Sequence, residues 1–177
     1  LVPNNAVLLV VGDIEVDEIV AKLERLFGAW KRETLAQSNF PAVPLLSARK
    51  AYLVDRPGSA QSNIVIANAG ITRTSPDYFP MLVMHTVLGA NASSRLFMNL
   101  REEKGYTYGA YSSVDARRLA GTFRVSAEVR TPVTGASLHE FFVELERIRN
   151  QRVPDEELRN AKSYLTGVFP IRIETQD

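Results

Sequence analysis

Between Thr122 and Val129 the chain alternates without a break: Phe123, Val125, Ala127 and Val129 are apolar, and Thr122, Arg124, Ser126 and Glu128 between and before them are polar. Successive side chains on a strand point to opposite faces, so this pattern calls for a strand with one face on a core and the other in water. Half-buried strands of this kind belong to antiparallel sheets. A partner stands close by. Residues 106–114, joined to it by the loop Asp115–Ala120, fit an antiparallel neighbour, with Tyr106, Tyr108 and Ala110 expected on one face and Thr107, Gly109 and Tyr111 on the other.

The remaining elements alternate between strand and helix. Ala6–Val11 is a continuous apolar run short enough for a buried strand, and Asp13 is placed to cap the next helix. In that helix Val16, Ile19, Val20, Leu23, Leu26, Phe27 and Trp30 recur at helical spacing, an apolar stripe expected to pack on a sheet. Periodicity lapses from Lys31 to Ser47, where Pro41 and Pro44 interrupt a polar stretch, and this reads as a surface linker. Lys50–Asp55 and Ser62–Ala69 are expected to form a hairpin around Pro57 and Gly58. A helix over 134–150 should bury Leu138, Phe141, Phe142, Leu145 and Ile148, and another should start at Pro154, with acids 155–157 in its first turn. Hairpins with intervening helices and few parallel crossovers indicate an α+β fold, a largely antiparallel sheet with helices packed on one face.

Composition narrows the function. In 177 residues with 45% hydrophobic content there is material for a real core. A formal charge of +1, with no cluster of basic residues, gives no electrostatic footprint for nucleic acid. The absence of cysteine excludes a disulfide framework and a thiolate metal site alike. No apolar run approaches the roughly 20 residues that span a bilayer, so no membrane partner is expected, and nothing fixes a compartment. Residues 1–5 do not resemble a signal peptide, and the lack of an initiator methionine suggests a piece of a longer polypeptide.

Ser93–Ser113 carries the chemistry. Ser93 or Ser94 can cap a helix in which Leu96, Phe97 and Leu100 share a face, and Gly105 can end it in the left-handed conformation. If the chain reverses at Gly105, the side chains of Arg101 and Tyr108 can reach one point. A guanidinium and a phenol there could hold a carbonyl oxygen or a developing oxyanion. Spacing alone equally suits a surface ion pair of Arg101 with Glu102 or Glu103 beside a packed tyrosine.

The wider string favours the first reading. SSRLFMNLREEKGYTYGAYS resembles the C-terminal domain signature of the insulinase and pitrilysin metallopeptidases, which include the mitochondrial processing peptidase. The resemblance extends over nearly the whole chain: Asn5–Trp30, Asp55–Gly70 with its glutamine before an inner strand, Ser75–Gly89 and Asp155–Gly167 are each similar to family segments in the family order. It implies a strand and helix at the junction with a preceding domain over 1–30, a linker over 31–48 and a non-zinc domain over 49–177, with 1–177 folding as one unit. It also implies that Arg101 and Tyr108 hold the scissile carbonyl and oxyanion of an unstructured peptide. Zinc, and the HxxEH motif that binds it, would come from a partner domain or subunit.

One departure from the family's peptide-cleaving members decides what this chain cannot do alone. HxxEH is absent, and only His85 and His139 are present. His85 has no acidic neighbour at ligand spacing, and HEFFV would need histidine at Val143 to make HExxH, so neither is expected to bind metal and no cofactor is expected in this chain. A smaller departure, LGANASSRL, leaves the turn before the helix open in shape. The alternative to a peptidase half is a non-catalytic scaffold or peptide-binding subunit, as the respiratory-complex core proteins of the family suggest.

Overall fold

The computed structural model describes residues 2–36, 39–44 and 46–174. Its regular elements are α1 (Val16–Phe27), β1 (Gln61–Gly70), α2 (Tyr78–Gly89), α3 (Arg95–Phe97) running into a π-helix (Met98–Glu103), β2 (Thr107–Ala116), β3 (Gly121–Arg130), α4 (Thr134–Asn150) and α5 (Asp155–Arg172). The three strands form one antiparallel sheet in the order β1-β3-β2. The α+β architecture is the expected one.

Contacts cluster the chain into two units, Leu1–Ala42 with Pro170–Asp177, and Val43–Phe169. In the larger unit β3 lies at the centre, as its alternation requires. Val125 and Val129 are fully buried and Ala127 nearly so, while Thr122, Arg124 and Glu128 are exposed. In register, Ala127 faces Ile64 on one side and Ala110 on the other. Helices supply the other half of this core: Leu88 of α2, Leu96 of α3, Leu100 of the π-helix and Phe141 of α4 are all fully buried in one cluster with the sheet residues. Each such side chain contributes about 1.5–3 kcal/mol by leaving water. Helix α2 closes tightly on β2, because Gly89 lies so near Ser112 that a Cβ there would run into the Ser112 backbone. Helix α4 has the bounds its periodicity predicted. Helix α5 begins just after Pro154, whose carbonyl accepts the Leu158 N–H at 3.0 Å, and acids fill its first turn.

Several local expectations are corrected. Lys50–Asp55 is not a strand; the turn at Pro57 and Gly58 forms, with Gly58 at φ +79°, but β1 then pairs with β3 rather than back onto 50–55. A Pro-Gly pair fixes a reversal and leaves the choice of partner to the core face, where Ile64 and Ile66 match Ala127 and Val125. Ser94 stands at the N-cap of α3, but its hydroxyl donates backwards to the Asn91 carbonyl at 2.6 Å instead of capping the helix. The strict alternation expected over 106–111 is broken by a bulge between Thr107 and Ala110.

The smaller unit departs further. Helix α1 forms, but its N-cap is Glu15, without a side-chain cap, rather than Asp13. Ala6–Val11 is not a strand and its side chains are exposed, Val7 by 87%. A strand exists only through a ladder, and among the described residues of this unit there is no second strand to supply one. The apolar stripe of α1 is likewise uncovered, with only Ile19 and Leu23 half-buried. Among its described residues this unit has one aromatic contact, Phe27 against Trp30 at 6.3 Å between ring centroids, and one longer side-chain tie, Asn4 bridging both backbone groups of Glu33.

Candidate functional site

Arg101 and Tyr108 sit on two interruptions of regular structure, one on each side of a reversal at Gly105. Upstream, the helix winds as a π-helix over Met98–Glu103, and the Lys104 N–H donates to Asn99 O, five residues back, at 3.0 Å. Single π turns are uncommon and recur at functional sites. Gly105 then takes φ +62°, the left-handed conformation open to glycine, and its N–H returns to Arg101 O at 3.1 Å. The Arg130 guanidinium holds the turn from the end of β3, donating to Gly105 O at 3.3 Å.

Downstream, Thr107 pairs with Val129 and Ala110 with Ala127, so three steps on β2 match two on β3. Tyr108 and Gly109 are the residues this mismatch pushes out of the ladder. The Thr107 hydroxyl fastens the distortion, accepting the Gly109 N–H at 3.1 Å while lying 2.5 Å from Glu128 O and 3.0 Å from Gly109 O. A bulge re-aims a side chain, and here it leaves Tyr108 89% exposed. The Tyr111 ring lies over Gly109 and takes the space a Cβ would fill, with ring carbon Cε2 only 2.6 Å from that position, so a larger residue there would displace the ring.

Tyr108 opens onto a concavity of about 680 Å³ on the wet face of the sheet, lined also by Gln61, Asn63, Tyr111, Ser126 and Glu128. Arg101 approaches from the helix side. Its guanidinium lies 4.7 Å above the Phe97 ring, the Phe97 ring contacts that of Tyr111 at 5.8 Å, and its Nε pairs with Glu102 Oε1 at 3.5 Å. Among the described residues no hydrogen bond joins Arg101 to Tyr108; the aromatic pair Phe97 and Tyr111 stands between the guanidinium and the groove. The surface ion pair with Glu102 is therefore present, but the tyrosine is not packed.

The two arginines of the signature differ. Arg95 is buried, 7% exposed, and its Nε and Nη2 hold Glu157 of α5 at 2.8 and 2.7 Å. It joins helices. The Arg101 side chain is 43% exposed, and among the described residues it meets only its neighbour Glu102 and an aromatic face. The turn left open by LGANASSRL is built on Asn91, whose side-chain oxygen accepts both the N–H and the hydroxyl of Ser93 at 2.9 and 2.8 Å.

The histidines do not make a metal site. His85 Nδ1 lies 2.6 Å from Ser112 Oγ, between α2 and β2, and His139 is exposed on α4. Among the described residues no group of three or more His, Cys, Asp or Glu could hold a metal ion. Nor is any helix among them long and apolar enough to cross a membrane. Sequence spacing did not single out Tyr111, Asn63 or Glu128 in the groove; the alternation of β1 and β3 was the signal available, since it assigns Asn63 and Glu128 to the wet face.

Comparison with known proteins bears on the fold and the family. The chain is 28% identical over 177 residues to an uncharacterized zinc protease of Streptomyces coelicolor, covering 97% of this chain and 38% of that protein. It is 25% identical to an uncharacterized zinc protease of Bacillus subtilis, covering 98% and 41%. It thus spans less than half the length of these curated relatives. Among solved structures, the peptidase M16 inactive domain from Pseudomonas fluorescens superposes with a TM-score of 0.70 at 25% identity, over 88% of this chain and 37% of that one. A protease from Helicobacter pylori shares the fold, with a TM-score of 0.83 at 18% identity over 93% and 41%. The family model of the peptidase M16 inactive domain matches residues 1–165, and the chain therefore belongs to that family.

Proposed function

We propose that this chain is the half of a zinc metallopeptidase that carries no metal: it binds an unstructured peptide and supplies Arg101 and Tyr108 as donors to the scissile carbonyl and to the oxyanion that develops from it. The supporting observation is Tyr108 itself. A tyrosine pushed out of its ladder by a bulge, 89% exposed, with no hydrogen-bond partner for its hydroxyl among the described residues, does nothing for the fold. It is free for a substrate. Tyrosine offers one donor on a stiff ring, and arginine a planar fork that stays charged, which suits an oxygen gaining negative charge.

Energetics allow Arg101 to switch partners. An exposed ion pair such as that with Glu102 is worth about 0–1 kcal/mol, and a cation over an exposed ring about 0.5–1 kcal/mol. A preorganised donor to an oxyanion contributes about 2.7–4 kcal/mol. Moving from the first to the second is downhill. Zinc chemistry belongs to another part of the enzyme, since the donor set here does not fit a metal; the share of this chain is to bind, orient and stabilise charge.

Peptide hydrolysis tests the reading. The chain alone should leave an unstructured peptide intact, an HxxEH-bearing domain or subunit alone should be slow, and the two together should cleave. A zinc-bearing half that works equally fast without this chain would refute it.

A further inference from the structure

The π-helix that carries Arg101 is gripped at both ends by one side chain of α4. Glu140 Oε2 accepts a hydrogen bond from Asn99 Nδ2 at 3.0 Å, and its other oxygen, Oε1, lies 3.7 Å from Lys104 Nζ. Asn99 is the second residue of the π-helix and Lys104 its C-cap, and Arg101 stands between them. The Asn99 amide also donates to Glu144 Oε1 at 3.1 Å, and Glu144 in turn pairs with Arg147 at 3.5 Å. Asn99 and Glu144 are buried and the Glu140 side chain is only 17% exposed, so the bonds of the Asn99 amide are shielded from solvent competition, while Lys104 is the more exposed end.

From this geometry we infer that Glu140 is a positioning residue for the oxyanion donor: it holds the segment 98–104 wound as a π-helix and thereby sets the direction of Arg101. The inference rests on the role proposed above for Arg101. A π turn contains one more residue than the α turn it replaces and has no intrinsic advantage in hydrogen bonding. Released at its ends, it relaxes toward the α form. A π-helix turns each residue by less than the roughly 100° of an α-helix, so rewinding changes the rotation accumulated from the buried Leu96 onward and re-aims the side chains of the segment. Arg101 lies within the affected stretch, and Leu100 beside it cannot move with it because it is sealed in the core. A carboxylate spanning Asn99 and Lys104 fixes the winding that a core contact at Leu100 alone leaves open. Among the described residues Glu140 has no hydrogen bond or ion pair with a residue of the groove, so its effect on a substrate runs through Arg101.

The test uses the full protein with its zinc-bearing half. E140A removes both contacts, and E140Q keeps an oxygen for Asn99 while losing the charge facing Lys104. E140A should lower kcat roughly ten- to a hundredfold, the scale of a displaced catalytic group, with KM within about twofold. E140Q should fall between E140A and wild type, and amide exchange of 98–104 should quicken while β3 keeps its protection. In an R101A background E140A should cost nothing further, since the group it positions is gone. An E140A enzyme that melts earlier yet turns over normally per folded molecule would overturn the inference, as would the same loss in the R101A background as in wild type. Should E140A fail to fold, K104M, which removes only the contact at the more exposed end of the tether, should lower kcat as E140Q does and likewise cost nothing further in the R101A background. If R101A itself turns over normally, the proposed role of Arg101 fails first and takes this inference with it.

Discussion

The inward face of the sheet and the turn that leads into β2 are built to opposite rules. Inside, every signal agrees: β3 alternates strictly, its apolar side chains join one cluster with Ile64, Leu88, Leu96 and Phe141, and Val125, Val129, Leu88, Leu96 and Phe141 are wholly buried. Over 98–110 the rules are broken three times in succession, by a π-helix, a left-handed glycine and a β-bulge. None of the three buries Arg101 or Tyr108. Stability resides in the first region, and the distortions of the second leave Arg101 and Tyr108 exposed, at the kind of place where a fold is expected to depart from local consistency.

Mutations that separate stability from turnover can break this contrast. The largest effect is expected at Phe141, fully buried against the sheet. Phe141→Ala should cost about 3–5 kcal/mol in denaturant unfolding, with peptide turnover per folded molecule unchanged; an equal loss of turnover would show that core and turn are not separate. Gly105→Ala comes next. At φ +62° a Cβ costs about 1–2 kcal/mol, and here kcat should fall as well, because both proposed donors flank the reversal that the glycine makes. Thr107→Val removes the hydroxyl that bonds Gly109 and Glu128 across the bulge, a loss of about 1 kcal/mol. Amide chemical shifts should then change over 107–110 and stay constant in β1. Arg117→Gln should be silent in both measurements. Asp115 raises the Arg117 pKa through a hydrogen bond and a nearby charge, but the guanidinium is fully exposed, and a raised folded-state pKa is lost as a source of stability only far into alkali.

The same contrast explains what the sequence revealed. Thr122–Val129 and residues 134–150 declared themselves because a buried face imposes a period of 2 or 3.6, and the strand and helix that form there, Gly121–Arg130 and Thr134–Asn150, match those spans closely. The helix stop at Gly105 was legible from the glycine alone. The bulge was not, since an alternating pattern carries no mark of one extra residue; only the small Gly109 two places after a hydroxyl hinted at it. The π-helix left no local signal, because what holds it, Glu140 on Asn99 and Lys104, is 36 or more residues away in sequence. Arg101 and Tyr108 were singled out by their spacing around Gly105 and given a role by resemblance, whereas telling Arg101 from Arg95 required burial: two arginines in one motif look alike until one is seen tied to Glu157. The N-terminal unit was misread for a physical reason too. An apolar run and an apolar stripe state what a segment can bury, and Ala6–Val11 and α1 lie uncovered among the described residues.

The most direct test is steady-state peptide cleavage by Arg101→Ala and Tyr108→Phe, measured in the full protein with its zinc-bearing half alongside thermal melting. Each variant should lose roughly ten- to a thousandfold in kcat, the scale of one oxyanion donor, while melting with wild type, since neither side chain supports the core. Normal turnover in both variants would contradict the account, and so would a loss of activity matched by an equal loss of stability.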